Sequence, residues 1–306
     1  MAVEKGIPLK AHASPLGPRS GYAYPRAWMA RVLLQLHVEF GLLNLSLWEY
    51  VFATLAMTHV TIASVSIFLH RHQTHRSLSL HPIASHFFRC WLWITTGMFT
   101  REWVAVHRKH HATCENEGDP HSPRIWGIWR VLFGGVALYR AAARDRDVIA
   151  AYGYGTPDDW LERHVYGAYR FTGIAILLTV DLALFGVPGV LVYLVQMLWI
   201  PLWAAGVING VGHYWGYRNF HTPDASRNIL PLGLLIGGEE FHNNHHAHAY
   251  SAKFSSHWWE LDIGWLYIRI LELVGLAKVK RTARCEPQPR TGGMEGTGEN
   301  GSAVRP

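Results

Sequence analysis

Cysteine is scarce in this chain and charge is thin. Only three of its 306 residues are cysteine: Cys90 in an apolar run, Cys114 beside a histidine cluster and Cys285 in a polar stretch. None belongs to a CxxC pair, which argues against a disulfide framework and a thiolate metal site and makes a reducing compartment the expectation. Charged residues are 16% of the chain, and the surplus of +6 is scattered among Trp and His. Without a basic stripe the chain does not read as a nucleic-acid binder, and the surplus fits the positive bias on one face of a membrane protein. The first 26 residues hold no apolar run, so no cleavable signal peptide is expected.

What is present points to a bilayer. Apolar residues make up 49% of the chain, and its 14 Trp and 13 Tyr suit a protein with two lipid–water interfaces to anchor. Leu47 to Leu69 is interrupted only by Glu49 and His59 and is long enough for a hydrocarbon core of about 30 Å. Phe171 to Val187 and Val190 to Val211 flank Pro188-Gly189 and read as a helical hairpin of two further spans. Trp28 to Leu45 carries Arg31, His37 and Glu39 and is a poorly marked first crossing. Residues 1–26 read as a flexible arm, 27–278 as the membrane domain and 279–306 as a disordered tail.

The twenty histidines are the unusual feature, because nine of them fall into four groups. These are His70 and His75 in HRHQTH, His107, His110 and His111 in HRKHH, His213 four residues after Asn209, and His242, His245 and His246 in HNNHH. On a helix, HxxHH turns three imidazoles to one face, and Asn209 shares a face with His213. His70 and His75 stand about 140° apart on a regular α-helix, so the helix must end or loosen within that box. Nine nitrogens exceed one ion and suit two. His72 is left out of the set, and His121 is expected behind it. Because all four groups must reach one site, the chain between any two crosses the membrane an even number of times. Ala84 to Thr100 therefore dips, lies at the interface or turns back.

The order HRHQTH, EWVAVHRKHH followed by DPHSP, NGVGHYWGYR and NILPLGLLIGGEEFHNNHH resembles the membrane fatty-acid desaturases, closest to the acyl-CoA Δ9 group and its bacterial relatives. The resemblance runs from about Leu47 to Lys278. It implies an all-α integral membrane fold of four transmembrane helices under a helical cytoplasmic cap that holds a di-iron site. It further implies that His70, His75, His107, His110, His111, His213, His242, His245 and His246 ligate two Fe2+, with Asn209 acting through water. Glu239 and Asp119 stand where acidic residues orient ligating imidazoles. Arg101, Arg108 and Lys109 crowd the cap side, where they are placed to meet a phosphorylated carrier such as coenzyme A.

The activity so implied is O2-dependent insertion of a cis double bond, at Δ9, into a saturated fatty-acyl chain carried on coenzyme A or a phospholipid. Removing hydrogen from an unactivated methylene pair is beyond any side-chain acid or base, and a metal–oxygen oxidant is required. The chain shows no haem or flavin motif, so electrons come from a separate ferredoxin, rubredoxin-like protein or b-type cytochrome with its reductase. The expected place is a bacterial inner membrane with the site facing the cytoplasm. Two rivals stand beside this reading. A fatty-acyl or alkane hydroxylase would use the same centre, and a membrane metal carrier would place its ligands within spans, whereas these gather at helix ends.

Overall fold

A computed structural model describes residues 41–283, together with Met29, Arg31 and Glu39. The expected first crossing, Trp28 to Leu45, thus lies mostly outside the described residues. Its end is anchored, since Leu42 and Leu43 donate their amides to the carbonyls of Ala183 and Leu184 at 3.0 Å.

Helix α1 (Leu47–Ser64) opens at Ser46, whose amide donates to the Glu49 carboxylate at 2.7 Å. Its Thr and Ser hydroxyls do not break it because each turns back on a carbonyl of the preceding turn, as Ser64 does on Val60 at 2.7 Å. Without a break, α1 widens into a π-helix over Val65–Thr74, carrying the first histidine box. Strand β1 (Leu78–Leu80) follows, then α2 (Pro82–Thr96) and α3 (Thr100–Thr113), which carries the second box. The segment expected to dip, lie at the interface or turn back forms α2. Trp91 donates its indole N–H to Thr61 of α1 at 2.9 Å, Trp93 donates to the Tyr169 carbonyl at 3.0 Å, and the chain then reverses into α3.

The one-turn α4 (Pro123–Trp126), α5 (Ile128–Arg144) and α6 (Arg146–Tyr152) follow, and a short π-turn over Glu162–Tyr166 leads to the hairpin. The hairpin consists of α7 (Arg170–Phe185) and α8 (Pro188–Ile200), the latter continuing as a second π-helix, Pro201–Val211. Strands β2 (Leu232–Gly233) and β3 (Leu261–Asp262) pair in parallel around α9 (His242–Ala247). Finally α10 (Ile263–Leu273) delivers β4 (Ala277–Val279) to β1, antiparallel, with Leu78 opposite Val279.

Two helices among the described residues are long and apolar enough to cross a bilayer: Leu47–Thr74 with 28 residues and Pro188–Val211 with 24. Both end in a π-helical stretch at the metal-binding side. The apolar core lies directly below these ends, with Ile62, Phe68 and Leu69 against Phe88, Leu92, Ile200 and Ile208.

The second π-helix is held by α5 at backbone contact. A Cβ on Gly135 would lie 2.2 Å from the Ala205 carbonyl oxygen. Gly135→Val therefore has to push the two helices apart, an overpacking cost of about 1–3 kcal/mol. It should lower the thermal unfolding midpoint of the purified protein in detergent, with Ala137→Val on the exposed side of α5 as the neutral control.

Candidate metal centre

The two histidines of the first box come together because the helix is not an α-helix there. The His75 amide donates to the His70 carbonyl, five residues back, at 3.1 Å. The wider turn brings the two rings to 4.9 Å between centroids. The third box is fixed differently. Helix α9 begins without a side-chain cap of its own, and Asn228, fifteen residues upstream, accepts the amides of Asn243 and Asn244 at 3.0 and 3.1 Å. Asn244 is held in turn by Glu260 at 3.0 Å.

These supports gather the nine histidines into two groups, each with its ligand atoms within 4.8 Å of one another. One contains His70, His75, His107, His111 and His245, and the other His110, His213, His242 and His246. Each HxxHH box is split between them. His107 and His111 face the first group while His110 faces the second; His242 and His246 face the second while His245 faces the first. Asn209 is half-buried in the last turn of the π-helix that ends just before His213. His72 takes neither place, its Nδ1 meeting the Leu78 carbonyl at 3.1 Å.

In the first group the Nε2 atoms of His70 and His245, of His245 and His111, and of His111 and His107 each stand 3.0 Å apart. In the second, His242 and His213 meet Nε2 to Nε2 at 2.9 Å. Neutral imidazoles carry one N–H each and cannot satisfy that row with hydrogen bonds alone. Among the described residues, His75 and His246 each bury an Nε2 with no hydrogen-bond partner. Converging lone pairs with no proton between them are what a cation resolves, so both groups fit a bound metal ion. Burial, followed by the charges of neighbouring rings, pushes His75, His107, His110, His111, His242, His245 and His246 well below the ordinary histidine pKa. They are neutral imidazoles, the form in which histidine binds metal.

Four carboxylates hold the opposite ring nitrogens. Glu239 lies 2.6 Å from His70 Nδ1, and Asp119 lies 3.0 Å from His110 Nδ1. These two the sequence had singled out. It had missed Glu115, 3.2 Å from His213 Nδ1, and Asp224, 3.0 Å from His246 Nδ1. Each pins the N–H on Nδ1 and turns the Nε2 lone pair inward. Burial pushes the Glu239 carboxyl up, but His70 and Arg71 outweigh it and keep it below the usual range. His121 packs on His110 with 4.3 Å between ring centroids. Glu115 lies past the end of α3 at φ 59° and reaches a ring 98 residues away, so no helical spacing reveals it. Asp224 comes from a loop with no periodic relation to any box.

Asp224→Asn removes the anion behind His246 and should weaken metal binding to the four-histidine group by about 10–100-fold, leaving the five-histidine group intact. Metal titration of the apoprotein would then show one tight site and one weakened site.

Three of the side chains at the metal groups also meet aromatic neighbours. Trp103 stacks on His107 at 4.9 Å and 13°, and Phe254 stands 4.8 Å from His245 and 5.3 Å from His70. Arg108 is spent on structure: it donates to the carbonyls of Gln73, Thr74, Tyr152 and Tyr154.

Comparison with known proteins agrees with this architecture. Delta-9 acyl-lipid desaturase 1 of Arabidopsis thaliana is 30% identical over 246 residues, covering 75% of this chain and 74% of that protein. Delta-9 desaturase-like 4 protein of the same plant is 30% identical over 244 residues, covering 75% and 76%. The acyl-CoA C20 Delta5-desaturase of Anemone leveillei is 30% identical over 228 residues, covering 71% and 68%. Residues 46–270, which contain all four histidine groups, match the family described as Fatty acid desaturase, and the chain belongs to that family of oxidoreductases.

Proposed function

We propose that this chain is an O2-dependent di-iron desaturase that introduces a cis double bond, at Δ9, into a saturated fatty-acyl chain. The observation that carries the reading is the division of nine histidines into a five-nitrogen and a four-nitrogen group, four of the rings oriented by carboxylates. The nine are the ligands of two ferrous ions, and Asn209 completes the four-histidine position through water. Relatives whose names specify acyl-lipid and acyl-CoA substrates support a fatty-acyl substrate on either carrier.

When bound, the two irons supply with O2 the oxidising power that no side chain has. Two substrate hydrogens, two external electrons and two protons together reduce O2 to two waters, leaving the alkene. The protein's own part is positional. Glu239, Asp119, Glu115 and Asp224 hold four imidazoles in one tautomer, so ligand geometry survives a change of metal charge. Trp103 and Phe254 give the five-histidine group apolar walls that exclude water and confine the chain. Electrons arrive from a separate carrier protein.

The described residues supply three spans, Leu47–Thr74, α7 and Pro188–Val211, and the expected first of four lies outside them. The metal side faces the cytoplasm. Between residues 41 and 283 the Lys and Arg gather in the cap, at its junction with the helices and in α10 and β4, with Arg89 in the middle of α2 the exception, and neither residues 41–47 nor 186–188 at the opposite end holds one.

The test is to express the chain and its His245→Ala variant with an electron donor and to profile total fatty acids by gas chromatography–mass spectrometry. A new cis-monoene, Δ9 by derivatisation, is expected from the parent chain alone. A hydroxy acid instead would make the protein a hydroxylase, and purified protein holding far fewer than two irons per chain would remove the di-iron reading.

A further inference from the structure

Helix α9 presents three of the nine metal-facing rings on only six residues, too short a stretch to hold a helix by its own hydrogen bonds. Its place is therefore set by its surroundings, and the polar groups that set it, Asn228, Asn243, Asn244 and Glu260, are all buried.

Glu260 is where this packing converges. Its Oε1 accepts from the Tyr217 hydroxyl at 2.8 Å and the Asn219 side-chain amide at 2.6 Å. Its Oε2 accepts from the Asn244 side chain at 3.0 Å and from the backbone amides of Ser256 and His257. All five partners are donors, and none of them is one of the nine rings. Burial and the Glu260 carboxylate push the Tyr217 hydroxyl above its ordinary range, so it stays a donor.

Those donors join two segments. Tyr217 and Asn219 lie in the stretch that leaves His213, and Asn244 lies inside α9, between His242 and His245. The same two segments are stitched again around the carboxylate. Asn219 donates its backbone N–H to Asn243 Oδ1 at 2.9 Å and its side-chain amide to Asn244 Oδ1 at 2.8 Å. Tyr217 exchanges backbone bonds of 2.9 and 2.7 Å with Asn228, the residue whose side chain accepts the first amides of α9.

The two metal groups depend on this clasp unequally. His213, His242 and His246, three of the four rings in the four-histidine group, come from the clasped segments, and only His110 comes from α3. In the five-histidine group His245 alone does, while the others come from the first box and α3.

We infer that Glu260 is a positioning residue for the four-histidine metal position: by tying the chain after His213 to α9, it sets the spacing at which His213 meets His242 and His246. The inference rests on the two-metal reading and adds to it a carboxylate that contacts none of the nine imidazoles yet fixes ligand spacing at one of the two positions. An amide in its place would turn an NH2 toward donors on one side and lose that half of the bonds.

The metal-free full chain in detergent is titrated with Co2+, whose visible absorption reports ligand geometry, for the parent, Glu260→Ala, Glu260→Gln and a control at the exposed Glu117, Glu117→Gln. The parent is expected to bind two Co2+. Glu260→Gln should weaken one of them about 10-fold and Glu260→Ala up to about 100-fold, with the absorption of that ion alone shifted. His213→Ala identifies the affected ion: added to it, Glu260→Gln should leave the remaining Co2+ bound as tightly as in His213→Ala alone. Equal weakening of both ions, which general loosening of the fold would produce, or weakening of neither, overturns the proposal. Deuterium exchange of the metal-free proteins is measured in parallel. Should the parent take up fewer than two Co2+, the two-metal reading falls and exchange alone decides the clasp. Faster exchange in Glu260→Gln over residues 214–219 and 242–247, with Leu47–Thr74 unchanged, supports it, and unchanged exchange refutes it.

Discussion

Replacing His213 with alanine should leave a folded protein that holds one iron instead of two and has lost turnover by more than about 100-fold, beyond the range typical of losing an outer-sphere partner. His213 belongs only to the four-histidine group, where its Nε2 meets that of His242 at 2.9 Å. Its removal leaves His110, His242 and His246, while none of the five rings of the other group loses a neighbour it uses to face its ion. The loss is therefore selective, and iron analysis with Mössbauer spectroscopy separates it from general unfolding, which would empty both positions. His72→Ala is the matched control, since His72 sits inside the first box but spends its Nδ1 on the Leu78 carbonyl. Two irons retained in His213→Ala, or iron lost in His72→Ala, would mean the nine-ligand assignment is wrong.

The contrast between His72 and its neighbours marks how far the sequence could be read. Spacing alone singles out HxxHH, because i, i+3 and i+4 share a helix face. It does not say that the three rings diverge to two ions, since that depends on where the other helices stand. The π-helical stretch was visible only as a requirement: His70 and His75 could not meet on a regular helix, so the helix had to end or loosen. Why it widens rather than ends is set by the packing of Val65–Thr74 against α3 and by the Thr74 hydroxyl, which returns to the Leu69 carbonyl at 2.8 Å. Acids behind the rings divide in the same way. Asp119 lies close in sequence to the box it serves and Glu239 lies beside the third box while holding His70 of the first, whereas Asp224 reaches His246 across a loop. Charge was least legible of all. Arg108 looked free for a substrate phosphate yet is consumed by four backbone carbonyls.

Arg71 illustrates what a motif conceals, and its substitution should have the largest effect on stability. It lies within HRHQTH, between two histidines that draw attention away from it, and it is completely buried. Its guanidinium donates to Asp262 at 3.2 Å, to the Gly237 carbonyl at 3.3 Å and to the Ser66 hydroxyl, stands 3.8 Å from Glu239, and lies 3.7 Å above the Phe254 ring. Glu239 holds His70, and Asp262 accepts the amides of Phe254 and Trp265, so one side chain ties the first box to the aromatic wall and to the start of α10. Arg71→Ala leaves two buried carboxylates facing each other without their cation. Breaking a buried pair in this way costs about 3–5 kcal/mol, a large share of the roughly 5–15 kcal/mol that holds a domain together. The expected result is a steep fall in the thermal midpoint and in the yield of monodisperse protein, with iron lost as the fold is lost. Arg71→Lys keeps the charge but cannot span Asp262, Gly237 and Ser66 at once, and should recover only part of the midpoint. Arg163→Ala, which breaks an exposed pair with Asp158, should shift nothing measurable. If Arg71→Ala unfolds no more readily than Arg163→Ala, the buried network does not organise the first box, and the π-helix must hold His70 and His75 unaided.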